Sequence, residues 1–140
     1  MPSVLRNAIL ATVLFVSAAS SATEVTVFDV RKPIALSKKQ KVYKDFFINA
    51  GSERGIKVGM IVTVKRSQAL YDAYQNKSPG SLAIPVGKLK IIHVQKGLSV
   101  ARETSIFSRR SLPVIDYSHI MVGDRVDMAS LSWPQKKKSA

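Results

Sequence analysis

The sequence predicts a small all-β domain arranged as a closed or partly open barrel, with a β-sandwich as the alternative. Short segments rich in β-branched and aromatic residues alternate in polarity, as half-buried strands do. Turn residues separate these segments at intervals of about 8–15 residues. No amphipathic stretch long enough for a crossover helix alternates with them, which disfavours a doubly wound α/β fold. The length of 140 residues is typical of one domain.

The first 22 residues have the three regions of a secretory signal. Arg6 precedes an apolar run from Ala8 to Ala19, which is short for a bilayer span, although a retained anchor is the alternative. Ser20 and Ala22 occupy the −3 and −1 positions of a cleavage site. Cleavage after Ala22 would leave 118 of the 140 residues in the periplasm. The absence of cysteine excludes disulfides and a lipid-modified cysteine, so we expect a soluble or peripheral protein.

The chain is strongly basic, with 22 Lys and Arg against 9 Asp and Glu. Removal of Arg6 with the predicted signal leaves 21 against 9, a net charge of +12. Such an excess favours anionic partners, among them lipid headgroups and acidic polysaccharide. Export makes nucleic acid the least expected partner. Solubility alone is the alternative explanation of the charge.

The predicted domain comprises residues 23–128, followed by a disordered basic tail at 129–140. The strand-like segments are Glu24–Val30, Asp45–Ala50, Gly59–Arg66, Leu82–Gly97, Leu98–Phe107 and Asp124–Met128. Leu82–Gly97 and Leu98–Phe107 read as a hairpin, and Pro85 and Gly87 mark an edge or a bulge in it.

Two connections interrupt the strand pattern. Arg31–Lys44 contains Pro33 and five lysines and reads as a polar connection or an irregular edge. Ser67–Ser81 is compatible with one or two helical turns, because Leu70, Ala73 and Tyr74 have helical spacing, or with a long hairpin. The predicted architecture includes it as one short helical excursion.

Gly51, Gly55 and Gly59 follow one another at a spacing of four. A phosphate-binding loop would need Gly-Lys-Ser/Thr, and a membrane packing motif would need a long apolar segment, so both interpretations fail. The pattern instead predicts a turn. Gly51 would leave the strand with positive φ, Ser52 would cap a single turn with Glu53 near its positive end, and Gly55 would close it in the left-handed conformation.

The same corner recurs near the C-terminus. Ile56–Val64 and Ile120–Met128 have the same spacing of Ile, Val-Gly and Val. When the two segments are aligned, Gly123 corresponds to Gly59. In both segments the glycine would bend the chain into a strand, with Ile56, Val58, Val62, Val64, Val126 and Met128 facing the core. These corners are either pseudo-symmetric parts of one barrel or a chance recurrence of a common turn.

The segments Phe46–Arg66, Gly87–Arg102 and Ile120–Val126 together resemble the C-terminal domain of the flagellar assembly protein FlgT. The resemblance spans residues 45–128 and is carried by Gly51, Gly55, Gly59, Gly87, Ser99, Val100, Ala101, Gly123 and Asp124. It implies a small periplasmic β-barrel that acts by contact within a ring of the flagellar motor, with envelope or motor proteins as partners and a ring-forming homo-oligomer as one arrangement. The periplasmic barrels of the cell-shape protein MreC have a similar glycine corner. The other domains of FlgT are not present in this sequence.

The sequence predicts no catalytic residue, cofactor site or metal site. Asp116, Ser118 and His119 are too close in sequence to converge readily as a triad, and two isolated histidines do not make a zinc site. The residues proposed to bind an anionic lipid or glycan are Lys38, Lys39, Lys41 and Lys44 in one cluster and Arg109 and Arg110 in another. Lys136–Lys138 form a third basic cluster. The alternative for all three clusters is that they are ordinary solvent-exposed surface and bind no anion.

Overall fold

The computed structural model describes residues 23–115 and 117–135. It contains six strands, which are β1 (Val27–Arg31), β2 (Asp45–Ile48), β3 (Ile61–Asp72), β4 (Lys77–Gln95), β5 (Leu98–Ile106) and β6 (Arg125–Ser132). One turn of 3-10 helix, Ser52–Arg54, follows β2. The described residues form no α-helix, and none of them forms a helix long and apolar enough to cross a membrane. The all-β prediction is confirmed, whereas the predicted signal at 1–22 lies outside the described residues.

The strands form a single antiparallel sheet in the order β1-β2-β5-β4-β3-β6. The predicted hairpin across Lys96 and Gly97 is confirmed, because Gln95 pairs with Leu98. The bulge predicted near Pro85 is also present, since the register shifts between the pairs Val64↔Gly87 and Lys65↔Pro85. These ladders define a sheet and do not by themselves close it into a barrel.

Backbone hydrogen bonds nevertheless link the residues at which the two terminal strands of the sheet begin. Val27 N–H donates to the Asp124 carbonyl at 2.9 Å, Gly123 N–H to that of Val27 at 2.8 Å, and Val126 N–H to that of Val25 at 2.8 Å. An isolated bridge pairs Thr26 with Arg125. We call this set of contacts the seam.

The core consists of aliphatic side chains and one phenylalanine that alternate along the strands. Its most buried members are Val27, Phe46, Ile48, Ile56, Val62, Val64, Ile84, Val86, Leu89, Ile91 and Ile120. The inward face predicted for β3 is confirmed, because Val62 and Val64 are fully buried. Val58 was expected in the core but is 57% exposed, because it stands at the outer side of a turn.

Residues 67–81 do not form the predicted helical excursion. β3 continues to Asp72 and β4 begins at Lys77, so the segment is the long hairpin that was the alternative. Paired strands override the helical spacing of Leu70, Ala73 and Tyr74, which covers too few turns to form a stable helix without packing. At the other end, β6 extends to Ser132, four residues into the segment predicted as a disordered tail, while residues 136–140 lie outside the described part of the chain.

The prediction of a positive φ at Gly51 is wrong, because its φ is −145°. The position needs glycine for a steric reason. A Cβ there would lie 1.8 Å from the Gln95 carbonyl oxygen and 2.8 Å from that of Leu98. Gly55 has φ 79° and ends the 3-10 turn in the left-handed conformation. The Ser52 side chain makes no capping hydrogen bond, contrary to expectation.

We predict that Gly51→Ala will lower the free energy of unfolding by more than about 3 kcal/mol or prevent folding, since backbone atoms cannot move aside for the new methyl group. Gly97→Ala is the control, because it has open space and a φ of 77°, and should cost about 1 kcal/mol. Urea unfolding of both variants measures the difference. Equal effects of the two substitutions would contradict the steric explanation.

Candidate functional site

The two corners recognised in the sequence have the same backbone geometry. Gly59 and Gly123 both have φ 92°, and each lies in a turn closed by a 3.2 Å hydrogen bond, Met60 N–H to Lys57 and Asp124 N–H to Met121. Ile56 and Ile120 are both buried, and Val62 and Val126 follow them into the core. The glycines are therefore placed by turn geometry and not by a ligand.

Each corner also docks on a neighbouring strand through the same pair of bonds. Gly59 N–H donates to the Ile91 carbonyl at 2.8 Å, and Ile91 N–H donates to that of Met60 at 2.9 Å. In the second corner, Gly123 and Asp124 make the corresponding bonds with Val27 at 2.8 and 2.9 Å. The two similar sequence segments therefore form a structural repeat, because a chance recurrence of one turn type would not reproduce the docking bonds.

A buried ion pair holds the second corner against β3. Arg66 Nε lies 2.8 Å from Asp124 Oδ1, and Arg66 Nη2 lies 2.9 Å from Oδ2, so the contact is bidentate. The same guanidinium donates to the carbonyls of Tyr117 and His119, and Asp124 accepts from Met121 N–H. The Asp124 side chain is only 3% exposed. These bonds fix the segment that carries Tyr117 and His119.

Glu53 links the 3-10 turn to the hairpin between β4 and β5. Its carboxylate accepts from Gly97 N–H at 2.7 Å and from Gly51 N–H at 3.0 Å. These two bonds, that of Gly97 first, lower the pKa of Glu53 below its ordinary value of 4.5, because they favour the charged form. Glu53, and not Ser52, is therefore the side chain of the turn that binds backbone N–H groups.

The first predicted basic cluster lies in the connection between β1 and β2, residues 32–44, which we call the basic connection. Lys38 and Lys39 occupy its turn, while Lys41 and Lys44 approach β2. None of these four lysines forms a salt bridge with residues that the structure describes. Their positions agree with a cationic surface.

The second predicted cluster is not a pair of free cations. Arg109 is half-buried and its Nη2 donates to the carbonyls of Pro85 and Val86 at 3.3 Å. Its Nε and Nη1 are buried and lack a partner among the described residues. Arg110 is exposed. Arg109 therefore contacts the backbone of β4 through Nη2, and Arg110 is the more accessible of the two residues predicted to bind an anion.

The structure adds residues that the sequence analysis did not select. An open groove of about 340 Å³ lies between the basic connection, β5 and the 117–119 segment, and is lined in part by Lys32, Tyr43, Lys44, Arg102 and His119. The Arg102 guanidinium lies 4.3 Å from the centre of the Tyr43 ring, and Lys41 Nζ lies 5.1 Å from it. Glu103 is the acidic residue in this lining. The groove suits an anion.

A salt bridge to Asp45 fixes the Arg102 guanidinium through its Nε atom. Its Nε donates to Asp45 Oδ1 at 2.9 Å, and both side chains are about one-third exposed, at 39% and 32%. Neither Nη atom has a partner within the described residues. Two N–H-bearing nitrogens therefore stay available next to the groove, in the fork geometry that binds carboxylate or phosphate.

The residues considered for a catalytic triad are only partly described, because Asp116 lies outside the described residues. The third basic cluster, Lys136–Lys138, also lies outside them. Ser118 is exposed, and His119 lines the groove with its ring 5.7 Å from that of Tyr117. Within the described part of the chain, no three His, Asp or Glu side chains cluster as metal ligands.

Residues 67–83 form a second distinctive surface, which we call the arm. β6 pairs with β3 only as far as Lys65, and β5 pairs with β4 only from Gly87 onward. Within the described residues, the two strands of the arm therefore pair with each other alone and leave both outer edges without a ladder. Leu70, Tyr71 and Tyr74 are exposed, Tyr74 completely.

The tip of the arm is nevertheless ordered by its own side chains. Asp72 Oδ1 accepts from the N–H groups of Tyr74 at 2.9 Å and Gln75 at 3.2 Å. Ser78 Oγ donates to the Leu70 carbonyl at 2.7 Å. The arm contains one acid, Asp72, and one base, Lys77, so it is electrically neutral in a strongly basic chain.

Comparison with protein-family models, with curated proteins and with solved structures gives no match for this chain.

We predict that Asp124→Asn will destabilise the protein by about 2–3 kcal/mol, because one amide oxygen cannot replace the two carboxylate oxygens that accept from Arg66 and from Met121 N–H. Arg125→Gln is the matched control on the next residue, since its partner Glu24 and Arg125 itself are both 53% exposed, and should change stability by less than about 1 kcal/mol. Urea unfolding at pH 7 gives both values. A loss at Asp124 no larger than at Arg125 would show that the buried pair does not hold the corner.

We predict that Glu53→Gln will lower stability at neutral pH and that this difference will shrink as the pH falls below 4.5. The pKa of Glu53 is lower in the folded state, so its contribution is complete above the unfolded pKa and is lost as the pH falls through the folded one. Unfolding curves at several pH values from 7 to 3 would measure it. A difference that is independent of pH would exclude a role for the carboxylate charge.

Proposed function

We propose that this protein is a non-catalytic interaction module of the periplasm, which joins a cell-envelope complex by pairing its arm with a strand of another protein. The observation that carries the proposal is the arm, an exposed and neutral hairpin with two unpaired edges. Unpaired strand edges are templates for strand addition, in which main-chain bonds provide affinity and side-chain contacts provide specificity.

A partner strand would add stability to the arm. A two-stranded ribbon is only marginally stable in water, and residues 69–81 are exposed apart from the half-buried Asp72. A third strand would satisfy one open edge and cover Leu70, Tyr71 or Tyr74. Exposed tyrosines are typical anchors of protein interfaces, because a large contact area is gained with little side-chain entropy lost.

Charge favours a different protein over a second copy as the occupant of the arm. Two copies would each carry a net charge of about +12, by the count of the sequence without its first 22 residues, and would repel one another at low salt. An acidic partner would be attracted by the basic body while the neutral arm makes the close contact. A homo-oligomeric ring would need counter-ions or an acidic second component.

The body of the domain would serve as a rigid platform in the form of a small, partly open barrel. The seam supports this view, because backbone bonds join residues 25–27 to residues 123–126 across the two ends of the sheet order. Closing a sheet removes its exposed edges and leaves the arm as the surface for strand addition.

The flagellar motor is the complex that we propose as the setting. The support is the resemblance of residues 45–128 to the C-terminal domain of FlgT, together with the secretory features of residues 1–22. Most of the residues that carry the resemblance lie in the glycine corners or in the paired strands β4 and β5. The resemblance therefore supports a fold similar to that of the FlgT domain. A ring component that acts by contact fits both the basic body and the arm.

We predict that Leu70→Ser with Tyr74→Ser will reduce recovery of the partner at least about tenfold, as expected when two interface anchors are removed. The measurement is a pull-down of the tagged mature chain from crosslinked envelopes, washed at low and high salt, with mass spectrometry of retained proteins. Val58→Ser with Val114→Ser is the control, because these valines are exposed outside the arm.

Recovery of an identified ring or stator protein at high salt, dependent on the arm and unaffected by the control, would support the proposal. Recovery of copies of this chain alone would show that the arm joins a homo-oligomer and does not bind a different protein. Equal recovery by the arm variant and the control would remove the arm from the interface. Binding of lipid or glycan only, lost at high salt, would reduce the flagellar resemblance to a shared fold.

A further inference from the structure

The basic connection displays two aliphatic side chains that the fold does not use. Ile34 is 86% exposed and Leu36 is 91% exposed, the highest values among the aliphatic side chains of the described residues apart from Val114. Single exposed apolar residues are common, but these two stand two positions apart in one segment. Every residue from Arg31 to Lys41 is exposed.

Lysines surround these side chains and no acid accompanies them. Residues 32–44 contain five lysines, namely Lys32, Lys38, Lys39, Lys41 and Lys44, and neither Asp nor Glu. None of the five forms a salt bridge with a described residue. The connection therefore combines an apolar tip with a dense and uncompensated positive charge.

The tip is shaped by hydrogen bonds. Gln40 N–H donates to the Ser37 carbonyl at 3.2 Å and closes a turn, and Leu36 N–H donates to Gln40 Oε1 at 3.0 Å. The turn satisfies these backbone groups within the segment. Leu36 is therefore presented by an ordered turn, which reduces the entropy that binding has to remove.

The groove beside Arg102 adjoins the same connection. Lys32 and Lys44 of the connection line it, together with the guanidinium of Arg102, whose two Nη atoms have no partner within the described residues. Its volume of about 340 Å³ is at the lower end for a small-ligand site, large enough for a phosphate group with a short polyol. Charge-assisted bonds to the free Nη atoms would bind the phosphate oxygens.

We propose that the basic connection is a membrane-surface anchor for a bilayer that contains anionic phospholipid. Ile34 and Leu36 enter the boundary between headgroups and acyl chains, the lysines of the turn contact the headgroup layer, and the groove receives one headgroup phosphate. The proposal extends the function of the protein beyond the arm and does not depend on it.

Ile34 and Leu36 favour a bilayer over an acidic glycan as the ligand of the basic connection. Lysines and Arg102 would serve either ligand, because both present oxyanions. A polysaccharide offers no apolar layer for Ile34 and Leu36, whereas the interface of a bilayer does. Apolar residues flanked by lysines combine the two contributions on which reversible membrane binding depends, which are buried apolar area and attraction to anionic lipid.

The test is flotation of the purified mature chain with vesicles of phosphatidylcholine that contain 30% phosphatidylglycerol, compared with vesicles of phosphatidylcholine alone. Lys38→Gln with Lys39→Gln and Lys41→Gln should weaken binding by about a hundredfold, at about fivefold for each lysine near the surface. Lys57→Gln with Lys90→Gln and Lys96→Gln is the matched control, because it removes the same charge from exposed positions outside the connection.

Ile34→Ser with Leu36→Ser tests the apolar contribution and should weaken binding at least about tenfold without a change in the urea midpoint, since both side chains are exposed. Equal loss in the two triple variants would overturn the proposal by showing that net charge alone acts. Full binding by the serine variant, together with displacement by polygalacturonate, would replace the bilayer by an acidic glycan. Displacement from vesicles by millimolar glycerol phosphate would identify a soluble phosphate ester as the ligand.

Discussion

The buried pair of Arg66 and Asp124 is the interaction on which the arrangement around β3 depends. A bidentate guanidinium–carboxylate contact is directional, so it sets the distance and the angle between β3 and the second corner. The same guanidinium binds the carbonyls of Tyr117 and His119 and thereby positions one wall of the groove. Because desolvating two charges is costly, such a pair specifies a geometry more than it adds stability. One arginine at the base of the arm thus connects the corner, the groove and the arm.

The two corners share one turn geometry but make different side-chain contacts. Their backbones agree in φ, in the turn bond and in the docking bonds to Ile91 and Val27. They differ at the residue after the glycine, where the first corner has partly buried Met60 and the second has Asp124. The apolar version packs against the core, and the acidic version recruits Arg66. The residue after the glycine therefore decides whether the corner only packs on the core or also binds neighbouring segments.

Local patterns explain what could be predicted from the sequence. Strand alternation, the Lys96–Gly97 turn and the recurrence of Val-Gly all depend on neighbouring residues, and each has its counterpart in the structure. Features that the sequence did not predict occur where distant residues decide the outcome. Gly51 is required by the carbonyl of Gln95, and the groove joins Tyr43 to Arg102 across β2 and β5. Arg109 looked like a surface cation beside Arg110, but the carbonyls of Pro85 and Val86 bind it. No sequence spacing encodes such contacts.

The seam has a consequence for the order in which the molecule folds. It joins residues about 100 positions apart, whereas β3, β4 and β5 are connected by short turns and can associate early. Contacts across so long a loop form late, because loop-closure entropy must be overcome first. Until then Val25 and Val27 remain open to water on the edge of β1 that faces away from β2. A slow final docking step would give this apolar strand time to pair with other chains, so the period before the ends of the sheet meet is when the protein is most exposed to aggregation.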